Sequence, residues 1–328
     1  MANFSIIFLK RIFNAAALIL AVVILNFVLI HIAPGDIVDT IAGEMGGISQ
    51  ELIDEIRADY GLDKPLYEQL GLYILRILQG DLGHSFFYDE PVVDLIWNAL
   101  PQTLLLVITA LTLALVVGTI FGVIAARRPN GAFSHFITVL ALIGFSAPVF
   151  WTGIMFLIAF ASFIPLFPPA GMADPGLEAG SLEYYLDVLH HMVLPTVTLS
   201  LIYLAFYSRL SRASMLDVLG SDYVRTARAK GLSERVVVYK HALRNALIPI
   251  VTIAGLQFAQ ILSGAVLVEA VFTWPGLGTL ALEAILRRDG PTILGILFFS
   301  AVVVVIFNLL TDLTYNLIDP RIRLGSKE

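Results

Sequence analysis

The 328-residue sequence contains no cysteine. That excludes disulfides, thiolate metal sites and a cysteine nucleophile together. Charge is also scarce. Only 14% of residues are Asp, Glu, Lys or Arg, where an average soluble domain carries about 25%. The usual catalytic signatures are missing as well: there is no G-x-x-x-x-G-K-[ST] phosphate loop, no H-E-x-x-H and no G-x-S-x-G elbow. Of the six histidines only His190 and His191 lie close together. Neighbouring residues do not share a helix face, so that pair reads as interfacial packing before it reads as a metal site. With no phosphate loop, uphill work by this chain would have to draw on an ion gradient or on another subunit.

What the sequence has in abundance is apolar surface. Hydrophobic residues make up 58% and mean hydropathy is +0.86. Too few charges remain to coat a water-soluble globule, which excludes disorder, a collagen-like fibre and a soluble enzyme. The fold class expected is an all-α polytopic membrane protein. A spanning helix needs about 20 mostly apolar residues. Six charge-free gaps are long enough: 12–35, 95–126, 129–173, 188–208, 245–268 and 290–311. The third gap holds one span followed by a loop, because Pro165, Pro168 and Pro169 end helical geometry near residue 164.

Charge placement fixes the expected orientation. With six spans and the N-terminus inside, 15 Lys/Arg fall in inside segments and 5 outside. Splitting the third gap in two reverses the bias, leaving 6 inside and 14 outside. The positive-inside rule selects six spans with both termini cytoplasmic. The first gap is not a cleaved signal peptide, since its apolar run is too long and no small-residue cleavage site follows.

Between the first two spans, 49–60 reads as a short amphipathic helix. A second follows Asp63, with Leu66, Leu70, Tyr73 and Ile77 as its apolar stripe. This segment either packs on the bundle or docks an external partner. Within the spans, Asn26, Gln257, Gln260 and Asn308 serve either as helix–helix contacts or as lining of a polar path. Ser146 and Pro148 mark an expected kink or unwound stretch. Glu269 and Asp312 are expected at interfacial span ends, with Glu269 a candidate gate.

The segment Arg209–Arg244 carries 8 Lys/Arg against Asp217, Asp222 and Glu234. Ser221 or Asp222 caps a short helix there, and Gly231 ends it. Ala227 and Gly231 stand four apart, which puts two small residues on one face open to close approach. The residues alone fit an ordinary positive-inside loop equally well.

Arg225-Thr226-Ala227, three further residues and Gly231 resemble the E-A-A-x-x-x-G signature of permease subunits of bacterial and archaeal ABC importers. Arg225 stands where that family has Glu, and Thr226 where it has its first Ala. More specific runs are His31-Ile-Ala-Pro-Gly-Asp36, Tyr60-Gly-Leu-Asp-Lys-Pro65, Gly80-Asp-Leu-Gly83, Pro101-Gln-Thr-Leu104 and Phe145-Ser-Ala-Pro-Val-Phe-Trp151. With Ala227-Arg-Ala-Lys-Gly231, Arg244-Asn-Ala-Leu-Ile-Pro249 and Glu269-Ala-Val-Phe-Thr-Trp-Pro-Gly-Leu-Gly278 they resemble, in order along nearly the whole chain, the first permease of dipeptide/oligopeptide/nickel-type importers.

That resemblance implies a type I ABC importer permease fold with six transmembrane helices and a small helical extracytoplasmic segment between helices 1 and 2. It divides the chain into helix 1 (1–35), the extracytoplasmic segment (36–98) and a permease core (99–328) with a cytoplasmic coupling loop at 209–244. It implies alternating-access import of di- or oligopeptides across a bacterial or archaeal cytoplasmic membrane. The partners would be a second homologous permease, two ABC ATPases, an extracytoplasmic solute-binding protein and membrane lipid, with no nucleic acid. The chain would be no enzyme and bind no cofactor, ATP and Mg being held by the partner subunits. The ATPase-coupling residues carried over are Asp222, Tyr223, Arg225, Thr226, Ala227, Ala229, Lys230, Gly231 and Leu232. Candidate path or gate residues are Ser146, Pro148, Gln257, Gln260, Glu269 and Asn308, with no catalytic or metal residue. Nickel chelates, glutathione, opines and sugars stay open as substrates. An ion-coupled transporter, which needs an ionisable group at the midplane, and a passive channel are the alternatives from other classes.

Overall fold

The computed structural model describes residues 2–32, 64–85 and 87–318. Its helices of eight or more residues are α1 (Ala2–Ile32), α2 (Leu66–Leu78), α3 (Val92–Arg127), α4 (Ala132–Ser146), α5 (Val149–Leu157), α6 (Leu182–Leu219), α7 (Asp222–Ala229), α8 (Leu243–Phe272), α9 (Leu277–Arg287) and α10 (Gly290–Ile318), and a short helical turn, Glu234–Val236, runs through a π-helix, Val237–Ala242, into α8. A two-residue antiparallel hairpin, β1 (His84–Ser85) and β2 (Glu90–Pro91), precedes α3. The helix expected at 49–60 lies outside the described residues, as do Asp63 and the side chain of Asp312.

Among the described residues five helical stretches are long and apolar enough to cross a membrane, or six if the bent pair Ala265–Phe272 and Leu277–Arg287 is one span. The third apolar gap is not one continuous helix. α4 stops at Ser146, the chain extends at Pro148 (φ −59°, ψ 137°), and α5 restarts at Val149 before widening into a π-helix over Ile158–Phe163. Proline cannot donate a backbone hydrogen bond and disfavours helical geometry at the residue before it, so Pro148 produces a full break. The following stretch 164–181 is non-helical, as its prolines require.

By internal contacts the chain divides into two units, 1–101 with 280–309 and 102–279 with 310–328. In the first unit α1 is tied to α10 through Asn26, which is 1% exposed and donates to the Leu294 carbonyl at 3.1 Å. A buried amide in a span is satisfied here by a helix–helix bond. His31 joins α1 to α2, its ring nitrogens lying 2.8 Å from the Phe27 carbonyl and 2.9 Å from Gln69 Oε1. The hairpin is anchored by Asp289. Ser85 and Thr292 both donate to its Oδ2 at 2.6 Å, and its Oδ1 receives the Thr292 amide in the first turn of α10. Tyr88 donates to Glu283 Oε2 at 2.6 Å, and the Arg287 guanidinium lies 3.8 Å over the Phe87 ring.

The second unit is built around α6. Its 38 residues measure about 57 Å, well beyond a hydrocarbon core of ~30 Å. α6 packs against α4, α5 and α8. It also meets α3 at a small-residue stripe. Gly118 approaches Leu204, Tyr207 and Ser208, while Gly122 approaches Ser208, Ser211 and Arg212. Ser211 donates to the Thr119 carbonyl at 3.2 Å. This is the G-x-x-x-G device, in which the absent side chains let two backbones close together in lipid.

Two outcomes follow from these contacts. A β-carbon at Gly122 would lie 2.6 Å from the Ser208 carbonyl oxygen, so Gly122→Val should destabilise the fold by about 1–3 kcal/mol, read as a lowered thermal midpoint in detergent. Burial, and then its bond to Glu283, pushes the Tyr88 hydroxyl from 10.0 up to about 12. The folded state keeps that proton when the unfolded chain has lost it. The stability it carries is therefore complete below about pH 10 and lost as pH rises toward 12. Thermal unfolding at about pH 8 and pH 11 should show a steeper loss for wild type than for Tyr88→Phe.

Candidate functional site

Two arrangements in the second unit combine polar chemistry with deliberate backbone shaping. The first is α7. Ser221 occupies its N-cap position, but the hydroxyl turns back to donate to the Val218 carbonyl at 2.5 Å rather than accepting from the helix. Lys230 follows as the C-cap and Gly231 has φ +76°, a left-handed geometry that suits glycine. Arg228 then clamps the turn, its Nε and Nη2 donating to the two carboxylate oxygens of Glu234 at 3.1 and 2.8 Å. That bond holds the Glu234 carboxyl below its ordinary range.

α7 has one apolar face. Val224 and Ala227 enter a buried cluster with Val123, Ala126, Met215, Val237, Val238, Ala242 and Ala246. Ala227 is 8% exposed. The expectation that Ala227 and Gly231 form one small face open to a partner is therefore corrected. The helix ends between them, and Ala227 points into the protein's own core because Val224, three residues earlier, anchors that side. The outward face carries Asp222, Tyr223, Arg225, Thr226, Ala229 and Lys230, with Gly231 and Leu232 exposed in the turn beyond. Asn245 at the start of α8 donates to the Tyr223 hydroxyl at 2.7 Å. Arg225 pairs with Asp222 at 3.5 Å.

The second arrangement surrounds Glu269. Expected at the end of a span, the residue lies one turn before the end of α8, and its side chain is buried within the protein, at 0% exposed. α8 ends at Phe272, Thr273 takes a left-handed conformation, and α9 leaves at 76° to the last turns of α8. The turn brings the first amides of α9 back onto the carboxylate, and Gly278 donates to Glu269 Oε2 at 2.6 Å. Helix N-terminal amides lack internal acceptors, so this donor is free to reach the side chain. The Leu277 amide goes to Thr103 Oγ1 at 2.8 Å, and the Trp274 indole donates to the Gln102 carbonyl at 3.0 Å. A β-carbon at Gly276 or Gly278 would run into the Glu269 side chain. The run Glu269-Ala-Val-Phe-Thr-Trp-Pro-Gly-Leu-Gly278 is thus a closed structural unit, with its glycines where the carboxylate passes.

The remaining candidate path residues are placed one by one. Ser146 is exposed, and its hydroxyl donates to Leu142 in its own helix at 2.8 Å. Pro148 is exposed at the N-cap of α5. Gln257 is half-buried, and its Oε1 meets no hydrogen-bond partner among the described residues. It lies three turns before Glu269 on α8, about 18 Å away along the axis, so the two do not form one site. The side chains of Gln260 and Asn308 lie outside the described residues.

A family profile described as "Binding-protein-dependent transport system inner membrane component" matches residues 118–324, and its N-terminal companion matches residues 4–107. A putative peptide permease protein of Brucella suis biovar 1 is 40% identical over 316 residues, covering 96% of this chain and 98% of that protein. The dipeptide transport system permease protein DppB of Escherichia coli K12 is 39% identical over 332 residues, with the same coverage. DppB of Alkalihalophilus pseudofirmus is 37% identical over 329 residues. Among solved structures, a chain of the MetNI methionine ABC transporter in inward-facing conformation superposes with a TM-score of 0.54 at 16% identity. It covers 69% of this chain and 96% of its own, a likeness of fold.

The glycine cradle generates a specific outcome. Gly276→Ala should lower the thermal midpoint in detergent, by about 1–3 kcal/mol of overpacking. Shortening the facing acid with Glu269→Asp in the same chain should recover part of the loss. Strictly additive effects would show that the two residues are not in contact.

Proposed function

The chain belongs to the family of inner membrane components of binding-protein-dependent transport systems, and from that premise we propose that it forms half of the translocation path of an ATP-driven importer for di- or oligopeptides. It is a multi-pass membrane subunit of transport and not an enzyme. The peptide class is supported by the relatives at 37–40% identity over 96% of the chain, which are named as dipeptide or peptide permeases. In this reading a second homologous permease completes the path, two ABC ATPases bind ATP and Mg, and an extracytoplasmic solute-binding protein delivers substrate. The termini are cytoplasmic, and 36–98 is the extracytoplasmic segment ahead of the 99–328 core.

The observation that carries the mechanism is the two-sided construction of α7. Its inner face is welded by Val224 and Ala227 to residues of α3, α6, the π-helix Val237–Ala242 and α8. Its outer face offers Tyr223, Arg225, Thr226, Ala229 and Lys230 to an ATPase cleft. Closure of the ATPase dimer pulls on α7, and because the helix is packed into the bundle the pull reaches α3, α6 and α8 directly. The spans then rock between inward- and outward-open states, with Ser146, Pro148, Gln257, Gln260 and Asn308 as the candidate path. Glu269 has its carboxylate engaged at the start of α9, which argues against a free midplane acid of the kind an ion-coupled transporter needs.

The test tags this chain in cells carrying its neighbouring genes and purifies it in mild detergent. Two ATP-binding subunits and a second six-span permease should co-elute. Ala229→Trp, on the exposed face of α7, should lose the ATPases and peptide uptake while keeping the second permease. Unchanged ATPase capture and uptake by the variant would remove α7 from the coupling role.

A further inference from the structure

Asp187 and His191 stand one turn apart near the start of α6 and so share a face. Asp174, in the non-helical stretch 164–181, folds back onto them, and its amide donates to Asp187 Oδ2 at 2.7 Å. The His191 side chain is 3% exposed and that of Asp187 16%, while Asp174 is 72% exposed. His190, the histidine beside it, takes no part. Its Nε2 bonds the Leu166 carbonyl at 2.8 Å, and its ring lies 5.5 Å from Phe167.

The two ring nitrogens of His191 have different surroundings. Nδ1 is 3.0 Å from the Asp187 main-chain oxygen, and 3.3 Å from its carboxylate Oδ2. A carbonyl can only accept, so in the neutral ring Nδ1 carries the proton and Nε2 presents a lone pair. Nε2 faces Asp174 Oδ1 at 3.7 Å. These are two acceptors turned toward each other, too far apart for a good hydrogen bond and with no proton between them. A separation of this size suits two bonds of about 2.0–2.2 Å meeting at an ion. One donor atom from each of Asp174, Asp187 and His191 lies within 4.8 Å of the other two. The bond from Nδ1 to a backbone carbonyl is the outer contact that fixes the tautomer of a metal-bound histidine.

We propose that Asp174, Asp187 and His191 bind one divalent transition-metal ion of the zinc class, which fastens the 164–181 stretch to α6. One imidazole and two carboxylates without sulfur match a borderline cation. Ca2+ and Mg2+ favour all-oxygen sites, and Cu(I) favours sulfur. Exposed Asp174 leaves the remaining coordination positions to water. The sequence signal is Asp187-x-x-x-His191, an i, i+4 pair that the adjacent His190 masks.

The full chain, freed of any affinity tag and stripped of metal, is placed in lipid nanodiscs and titrated with Zn2+ against a fluorescent chelator. Wild type should bind one Zn2+ per chain at this site. Asp174→Asn and His191→Asn should each weaken that binding by at least about tenfold. Asp174→Asn changes an exposed side chain, so it keeps the fold, and metal-free unfolding curves matching wild type will confirm that. Co2+ should give a visible absorption band in wild type that Asp174→Asn abolishes. No Zn2+ uptake by wild type, or equal uptake and equal Co2+ spectra in wild type and Asp174→Asn, would overturn the site and leave His191 a hydrogen-bonded packing residue.

Discussion

A helix that breaks inside a membrane frees backbone amides, and hydrocarbon offers them no acceptor. The bend between α8 and α9 interrupts a helix pair that together is apolar enough to cross a membrane, and it meets this constraint. Three kinds of acceptor meet it: the Glu269 carboxylate, the Thr103 hydroxyl and main-chain carbonyls at Glu269 and Trp274. The Gly278 amide reaches the buried carboxylate, and the side chain fits there because residues 276 and 278 carry none of their own. Charge, turn and glycine spacing are one solution to one problem. The Pro148 break solves the same problem more cheaply, because proline has no amide to satisfy.

The same economy shapes the contacts that carry force. In lipid, apolar side chains gain nothing by leaving an equally apolar solvent, so helices are held by close approach and by hydrogen bonds. Gly118 and Gly122 on α3 supply close approach, while Ser211 to Thr119 and Asn26 to Leu294 supply the bonds. Around α7 the contacts are apolar side chains instead, and Val224 and Met215 are fully buried in a cluster drawn from α3, α6, α7, the π-helix Val237–Ala242 and α8. The protein therefore changes its adhesive along α6, from backbone proximity at Ser208 and Ser211 to apolar burial at Met215.

How much of this was legible depended on whether the signal was local. Span number follows from charge-free length and from the placement of Lys and Arg, both readable along the chain. The end of α7 at Gly231 and the break at Pro148 were equally accessible, since glycine and proline act on their own backbone. The inward turn of Ala227 was not, because the residues that receive it come from α3, α6, the π-helix Val237–Ala242 and α8. The burial of Glu269 was hidden for a related reason. A lone acid at the end of an apolar run looks exposed until the chain doubles back over it, although Gly276 and Gly278 nearby were the available hint. The Gly118–Gly122 stripe carried a sequence pattern, but only the approach of α6 gives it meaning. Residues that act through distant partners, such as Asp174 with His191, stay hidden until the loop between them is placed.

The length of α6 has a mechanical corollary. A rod of about 57 Å that tilts by about 5° about one end moves the other by about 5 Å, so it works as a lever arm. One end is gripped beside α7 through Met215, and the other carries Asp187 and His191 against the 164–181 stretch. Pro195 inside the helix is the natural flexure of such an arm. In the proposed mechanism, whatever stiffens or loosens that flexure would set the gearing between displacement applied at one end and opening delivered at the other.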